Sequence, residues 1–195
     1  MVDAAALDQA AEALRAGEIV VYPTETVYGL GADALTPPAI EQVFEAKHRD
    51  RDKPISMAVP SVDAVSKFAD PSDREVSFCR EFLPGPVTVV LPARKCVPPE
   101  LLGGRDRVGV RVPDHDIALS LLDRFAPVTA TSANVSGRAS ANRVGDLDPE
   151  IRTAAAVILD GGETQGGGST VVNVEDGTII REGALADRIK VWLEE

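Results

Sequence analysis

The sequence predicts a single α/β domain over residues 1–195, built on one twisted, mixed β-sheet flanked by helices. Three observations predict it. Apolar stretches alternate along the chain between helical spacing and short β-branched runs. A hairpin pattern, "VVNVEDGTIIRE", stands late in the chain, so the sheet is mixed rather than purely parallel. A chain of 195 residues with no internal repeat, low-complexity tract or clear linker suits one core.

Each element follows from local pattern. Leu7, Ala10, Ala11 and Leu14 recur at helical spacing, and Gly17 stops the helix. Ile19 to Tyr22 reads as a buried strand. Ile40, Val43 and Phe44 mark a second helix, opened by Thr36-Pro37-Pro38. Ile55 to Val59 is the next strand. Ser61 and Ser72 suit the N-caps of two further helices, the second ending near Leu83. Val87 to Leu91 and Val108 to Val112 are strands, the first bracketed by prolines. A helix from Asp116 to Phe125 precedes the strand Val128 to Thr131. Asp148-Pro149 opens another helix, and Val157 to Leu159 is a short strand. The hairpin turns at Asp176-Gly177, and a last helix runs to Trp192. The polar stretch from Ser136 to Glu150 reads as a loop over one face.

Composition narrows the function. No apolar run approaches the ~20 residues of a bilayer span, and the opening residues form an amphipathic helix rather than a leader. A cytoplasmic protein with no membrane association is expected. Cys79, Cys96, His48 and His115 lie in no metal-ligand spacing, so no metal held by the protein is expected. The net charge of −11 argues against nucleic-acid binding through a general basic surface, and so against stable DNA binding. The 15 arginines, 5 lysines, abundant acids and many small alanines match a surface kept soluble in high salt, a halophilic signature.

Four polar clusters each follow or end an apolar element, where α/β sheets present ligand sites. In "VVYPTETVYGLGAD", Thr24, Glu25, Thr26 and Tyr28 offer hydroxyls and a carboxylate, and Gly29 and Gly31 permit close approach to a ligand. The same residues also suit a corner whose threonines cap their own backbone. In "AKHRDRDKP", Lys47, Arg49, Arg51 and Lys53 suit a polyphosphate, or form a solvated loop offset by Asp50 and Asp52. "VTATSANVSG" ends a strand in Ser132, Asn134 and Ser136, donors for a nucleotide or for a turn of their own. "GGETQGGGST" places five glycines before Ser169 and Thr170. It lacks the lysine of a phosphate loop. Arg111, inside "VGVRVP", is a cation in a valine strand and calls for an anionic partner.

Taken in order, "YPTETVYGLGAD", "AKHRDRDKPI", "PGPVTVVLPA", "VGVRVPDH", "TSANVSG", "GGGSTVVN" and "IIREGAL" resemble the YrdC family of threonylcarbamoyl-AMP synthases over Val20 to Leu185. The resemblance implies a YrdC-like fold with a large, concave, positively lined cavity. It implies formation of threonylcarbamoyl-AMP and pyrophosphate from L-threonine, bicarbonate and ATP. This is the first step of the t6A modification at position 37 of ANN-decoding tRNAs. ATP would be a substrate, Mg2+ would enter with it, and a tRNA threonylcarbamoyl transferase complex would be the transient downstream partner.

Carried over by position, the resemblance assigns Thr24, Arg111, Thr131 and Ser169 to threonine. Lys47 and Arg49 become the catalytic cations at the triphosphate. Ser132, Asn134 and Arg181 join them at the nucleotide, and Tyr28 lines the cavity. The chain departs from the family where Ser140-Ala141-Asn142 stands in place of a Ser-Pro-Thr segment. It also stops at Glu195, which reads as the single-domain form with a more open cavity. An RNA- or tRNA-binding module of the same fold is the alternative. A carbamoyl-adenylate domain of the hydrogenase-maturation kind is a second, but the zinc-finger-like cysteine sets usual there do not occur in this sequence.

Overall fold

In the computed structural model, which describes residues 2–194, the alanine-rich opening forms helix α1 (Ala4–Arg15). It turns Leu7, Ala10, Ala11 and Leu14 inward, and Asp3 caps it by accepting the Ala6 N–H at 2.9 Å. Strand β1 (Ile19–Tyr22) follows. The glycine-rich segment after it is not all loop: Gly29–Gly31 forms β2 and returns antiparallel to β1. Both glycines make room for the Tyr22 ring, and Gly29 also faces the cavity described below. A Cβ at either position would lie 2.9 Å from a ring carbon of Tyr22.

Helix α2 (Pro37–Lys47) starts on the paired prolines and ends at His48, whose φ of 47° is left-handed. Strand β3 (Ser56–Ala58) precedes helices α3 (Val62–Val65) and α4 (Asp73–Phe82). Ser61 and Ser72 cap these helices, and Ser72 forms a reciprocal capping box with Glu75. Strand β4 (Val87–Pro92) leads to α5 (Pro99–Leu102), a single turn too short to show periodicity. Strand β5 (Arg107–Arg111), helix α6 (Asp116–Arg124) and strand β6 (Val128–Ser132) follow. A 3-10 turn at Val144–Asp146 punctuates the next loop. Helix α7 (Pro149–Ala154) runs directly into β7 (Ala155–Ile158). The hairpin β8 (Thr170–Asn173) and β9 (Thr178–Arg181) and helix α8 (Ala186–Leu193) complete the chain.

The strands pair in the order β7-β1-β2-β6-β3-β5-β4-β8-β9. The pairs β1/β7, β3/β5 and β4/β8 are parallel, and the remaining pairs are antiparallel. The sheet is therefore mixed, and the whole is one α/β domain. Among the described residues no helix is long and apolar enough to cross a membrane.

The alternation of side chains along each strand explains where the site lies. Val87, Val89 and Leu91 of β4, and Val108 and Val110 of β5, enter the larger core with residues of α2, α4, α7 and α8. On the opposite face, α1 and α6 cover Val20 and Tyr22 of β1 and Val128 of β6 in a second core. The two helices do not cover the rest of that face. Thr88 and Val90 of β4, and Arg107, Gly109 and Arg111 of β5, line a cavity there. Under the far end, Phe78, Phe82 and Trp192 cluster, with Trp192 edge-on to Phe78 at 4.9 Å between ring centroids. This contact clamps α8 to α4. Cys79 is buried and Cys96 exposed, and neither forms a disulfide.

Candidate active site

The cavity has a volume of about 450 Å³. Six cations line it: Arg49, Lys53, Arg105, Arg107, Arg111 and Arg181. Among the described residues of its lining there is no carboxylate. In a chain of net charge −11 the lining surface is cationic, and the carboxylates that pair with Lys53, Arg107 and Arg111 stand outside it. The like charges interact. Burial, and next the charge of Arg181, pull the Arg49 guanidinium below its ordinary value; burial, and next Arg111, do the same to Arg181.

Of the residues singled out in the sequence, Thr24, Tyr28, Arg49, Arg111, Thr131, Ser132, Ser169 and Arg181 share this lining. The Thr24 hydroxyl also builds its own corner. It donates to the Val27 carbonyl at 2.6 Å and accepts the Thr26 and Val27 N–H groups at 3.2 and 3.3 Å. Tyr28 spends its hydroxyl on the neighbouring loop, donating to the Gly162 carbonyl at 2.7 Å and accepting the Gly161 N–H at 3.1 Å. Arg181 donates to the Ser169 carbonyl at 2.8 Å and to its Oγ at 2.9 Å, and Ser169 Oγ lies 3.3 Å from Thr88 Oγ1. Arg49 grips the Pro54 carbonyl at 2.9 Å, which fixes the cationic loop at the rim. Arg111 finds its anionic partner within the chain: its guanidinium donates to Glu25.

Two expected site residues lie elsewhere. Lys47 is 2% exposed and is not part of the lining. The end of α2 directs its ammonium under the loop after β6, where it donates to the carbonyls of Ser132 and Asn134, the latter at 2.7 Å. Burial, and next the charge of Arg49, bring its pKa down to about 7. Asn134 is also outside the lining, and its amide donates to the carbonyls of Val135 at 2.9 Å and Arg138 at 2.8 Å. Both placements have one cause: the end of β6 and the loop after it carry several inward carbonyls, and buried carbonyls recruit the nearest donors. Lys47 and Asn134 thus support the wall that presents Ser132.

Lys53 of the cationic run and Ser140 of the variant segment also line the cavity, as do Arg105, Arg107, Ser56 and Thr88, to which sequence reasoning assigned no role. A period of two was the available signal for Arg107. It stands four residues before Arg111 on the same strand, with Gly109 between them on the same face. Arg107 donates to Glu75 at 2.5 Å and pairs with Glu175. Arg105 precedes the strand and donates to the Asp52 carbonyl at 2.8 Å, a contact no local pattern announces. Among the described residues no cluster of three or more His, Cys, Asp or Glu side chains is disposed to hold a metal.

The family model for Sua5, YciO and YrdC, described as telomere recombination, matches residues 12–183. The chain is 39% identical to a Pyrococcus abyssi protein named threonylcarbamoyl-AMP synthase, over 90% of this chain and 53% of that protein. It is 33% identical to a Photobacterium profundum protein of the same name, over 91% of this chain and 98% of that one. The structure of P. abyssi Sua5 complexed with L-threonine superposes with a TM-score of 0.92 at 36% identity, covering 98% of this chain and 58% of that one. Escherichia coli YciO superposes with a TM-score of 0.81 at 26% identity, over 91% and 89%. The chain spans about half the length of the P. abyssi and Bacillus subtilis relatives and nearly all of the P. profundum one. By sequence and by fold, the chain belongs to the Sua5/YciO/YrdC family.

Proposed function

We propose that residues 1–195 act as one domain that makes threonylcarbamoyl-AMP and pyrophosphate from L-threonine, bicarbonate or CO2, and ATP. One observation carries this reading: a cavity with six cations and no carboxylate, set in an acidic protein. Such a recess suits a polyanion beside a small carboxylate. Its volume falls in the range of about 300–1,000 Å³ usual for small-molecule sites, too small to enclose an RNA duplex. The relatives named for this activity, and the threonine-bound structure, support the same choice.

The chemistry has two steps. The neutral α-amine of threonine bonds to the carbon of CO2 and loses a proton, giving an N-carboxylate; with bicarbonate, water leaves instead. A carboxylate oxygen then attacks the α-phosphorus of ATP, the Pα–O–Pβ bond breaks, and pyrophosphate departs with the electron pair. Neither step needs a covalent enzyme intermediate. Positioning and charge neutralisation suffice. Arg111 receives the threonine carboxylate, with Thr24, Thr131 and Ser169 around it. Arg49 and Arg181 face the phosphates, and Ser132 meets the nucleotide. Lys47 and Asn134 hold the loop that carries Ser132. Mg2+ would be held by the triphosphate oxygens of ATP, where it would neutralise phosphate charge alongside Arg49 and Arg181. In the cell, the adenylate passes in the cytoplasm to a transferase complex acting on position 37 of tRNA.

The test incubates the full chain with ATP, Mg2+, bicarbonate and each amino acid in turn, scoring pyrophosphate. Release with threonine alone is expected. A folded protein that releases none with any amino acid, yet shifts tRNA at physiological salt, overturns the reading in favour of an RNA-binding module.

A further inference from the structure

Glu25 is not part of the cavity lining, yet it is bonded to a residue that is. Arg111 donates through Nη2 to Glu25 Oε1, and the other carboxylate oxygen, Oε2, accepts the Asp114 N–H at 3.2 Å. Both side chains are 10% exposed. The carboxylate is thus tied on both oxygens, one to the backbone ahead of α6 and one to the guanidinium. The turn presenting it is equally fixed, because Thr24 Oγ1 accepts the N–H groups of Thr26 and Val27, the two residues after Glu25. Arg111 keeps a donor in reserve: its buried Nε has no hydrogen-bond partner.

A guanidinium is a planar fork whose useful donors depend on its orientation. A productive site holds such a group within about 10–20° of its working geometry before the ligand arrives. A long arginine on an open strand face does not achieve this alone. We infer that Glu25 is a positioning residue that presets the Arg111 guanidinium to receive the α-carboxylate of the amino-acid substrate. This rests on the proposed reaction and extends it to a group outside the cavity. The two-point anchorage distinguishes Glu25 from a plug: a carboxylate that gave way to substrate would not also be tied to the Asp114 backbone.

The experiment measures threonine and ATP binding to the full chain by calorimetry, together with steady-state pyrophosphate release. It compares the unaltered chain with Glu25→Ala and Glu25→Gln. Losing the anchor obliges the ligand to order the arginine itself, which weakens threonine binding about tenfold. Glu25→Ala should therefore raise the Kd and KM for threonine about tenfold while kcat and the Kd for ATP stay within twofold. Glu25→Gln keeps an acceptor on Nη2 and should recover most of the loss. If Glu25→Ala fails to fold, Glu25→Gln decides, with a threonine KM about threefold above the unaltered chain and kcat unchanged. Threonine binding by the variants equal to or tighter than that of the unaltered chain overturns the inference alone. A folded, unaltered chain that binds no threonine overturns the proposed reaction, and this inference with it.

Discussion

Replacing Lys47 with methionine should destabilise the protein more at pH 9 than at pH 7. The Lys47 amine sits on two carbonyls with only 2% of the residue exposed, and its pKa is brought down to about 7. In the unfolded chain the same group titrates near 10.5. The unfolded state therefore holds an extra proton throughout this window, and raising the pH favours the folded state, which has already released its own. Below pH 7 both states are charged and the full cost of burying the ammonium is present; above 10.5 the cost is gone. Between pH 7 and pH 9 the linkage contributes about 2 kcal/mol of stability. Methionine lacks this term and strands two carbonyls at about 1–3 kcal/mol each. Urea denaturation of both proteins at the two pH values reads the effect, and the stability gap should widen by about 2 kcal/mol on going to pH 9. A gap that is the same at both values would show that burial does not lower the Lys47 pKa, and would refute this reasoning.

Other consequences follow from single contacts. Arg111→Ala should cost about 3–5 kcal/mol in chemical denaturation, because it strands the Glu25 carboxylate; adding Glu25→Gln should recover most of it, and a single variant as stable as the parent would contradict the pairing. Arg49→Ala should lower kcat/KM for pyrophosphate release by on the order of 10²–10³, as loss of one preorganised electrostatic group does elsewhere, while loss of its bond to the Pro54 carbonyl costs only about 1–3 kcal/mol in denaturation. Gly29→Ala brings a methyl group to 2.9 Å from the Tyr22 ring, itself 1% exposed, and should cost about 1–3 kcal/mol by overpacking, read by the same denaturation. The acidic balance of the chain predicts a melting temperature that rises between low and multimolar salt; a flat or falling curve would count against a halophilic surface.

Much of the fold was legible because its signals are local. The spacing of Leu7, Ala10, Ala11 and Leu14, the caps at Ser61 and Ser72, and the valine strands each determine their element within a few residues. Strand β2 escaped notice because two of its three residues are glycine, and what makes them glycine is a ring seven to nine positions earlier. The short α5 carries too few residues for a period to emerge. The site was legible where a residue's chemistry was at odds with its surroundings, as with Arg111 among valines. It was illegible where a side chain's target was a distant backbone group. Lys47 and Arg49 look alike in a charge run, yet one ends under a wall and the other on the cavity. Nothing near Lys47 in sequence reveals that the carbonyls of Ser132 and Asn134, 85 and 87 positions away, will claim its protons. Glu25 was read as one more polar group of a turn, and its partner lies 86 positions on.

One cavity is claimed to join an amino acid, a one-carbon unit and a nucleotide. The direct test supplies the chain with threonine, ATP labelled at the α-phosphorus with 32P, and bicarbonate labelled with 14C, then separates the products. One threonine-dependent compound carrying both labels in equal amounts is expected. The two labels never appearing in the same compound, with the protein folded and threonine in excess, would contradict the claim.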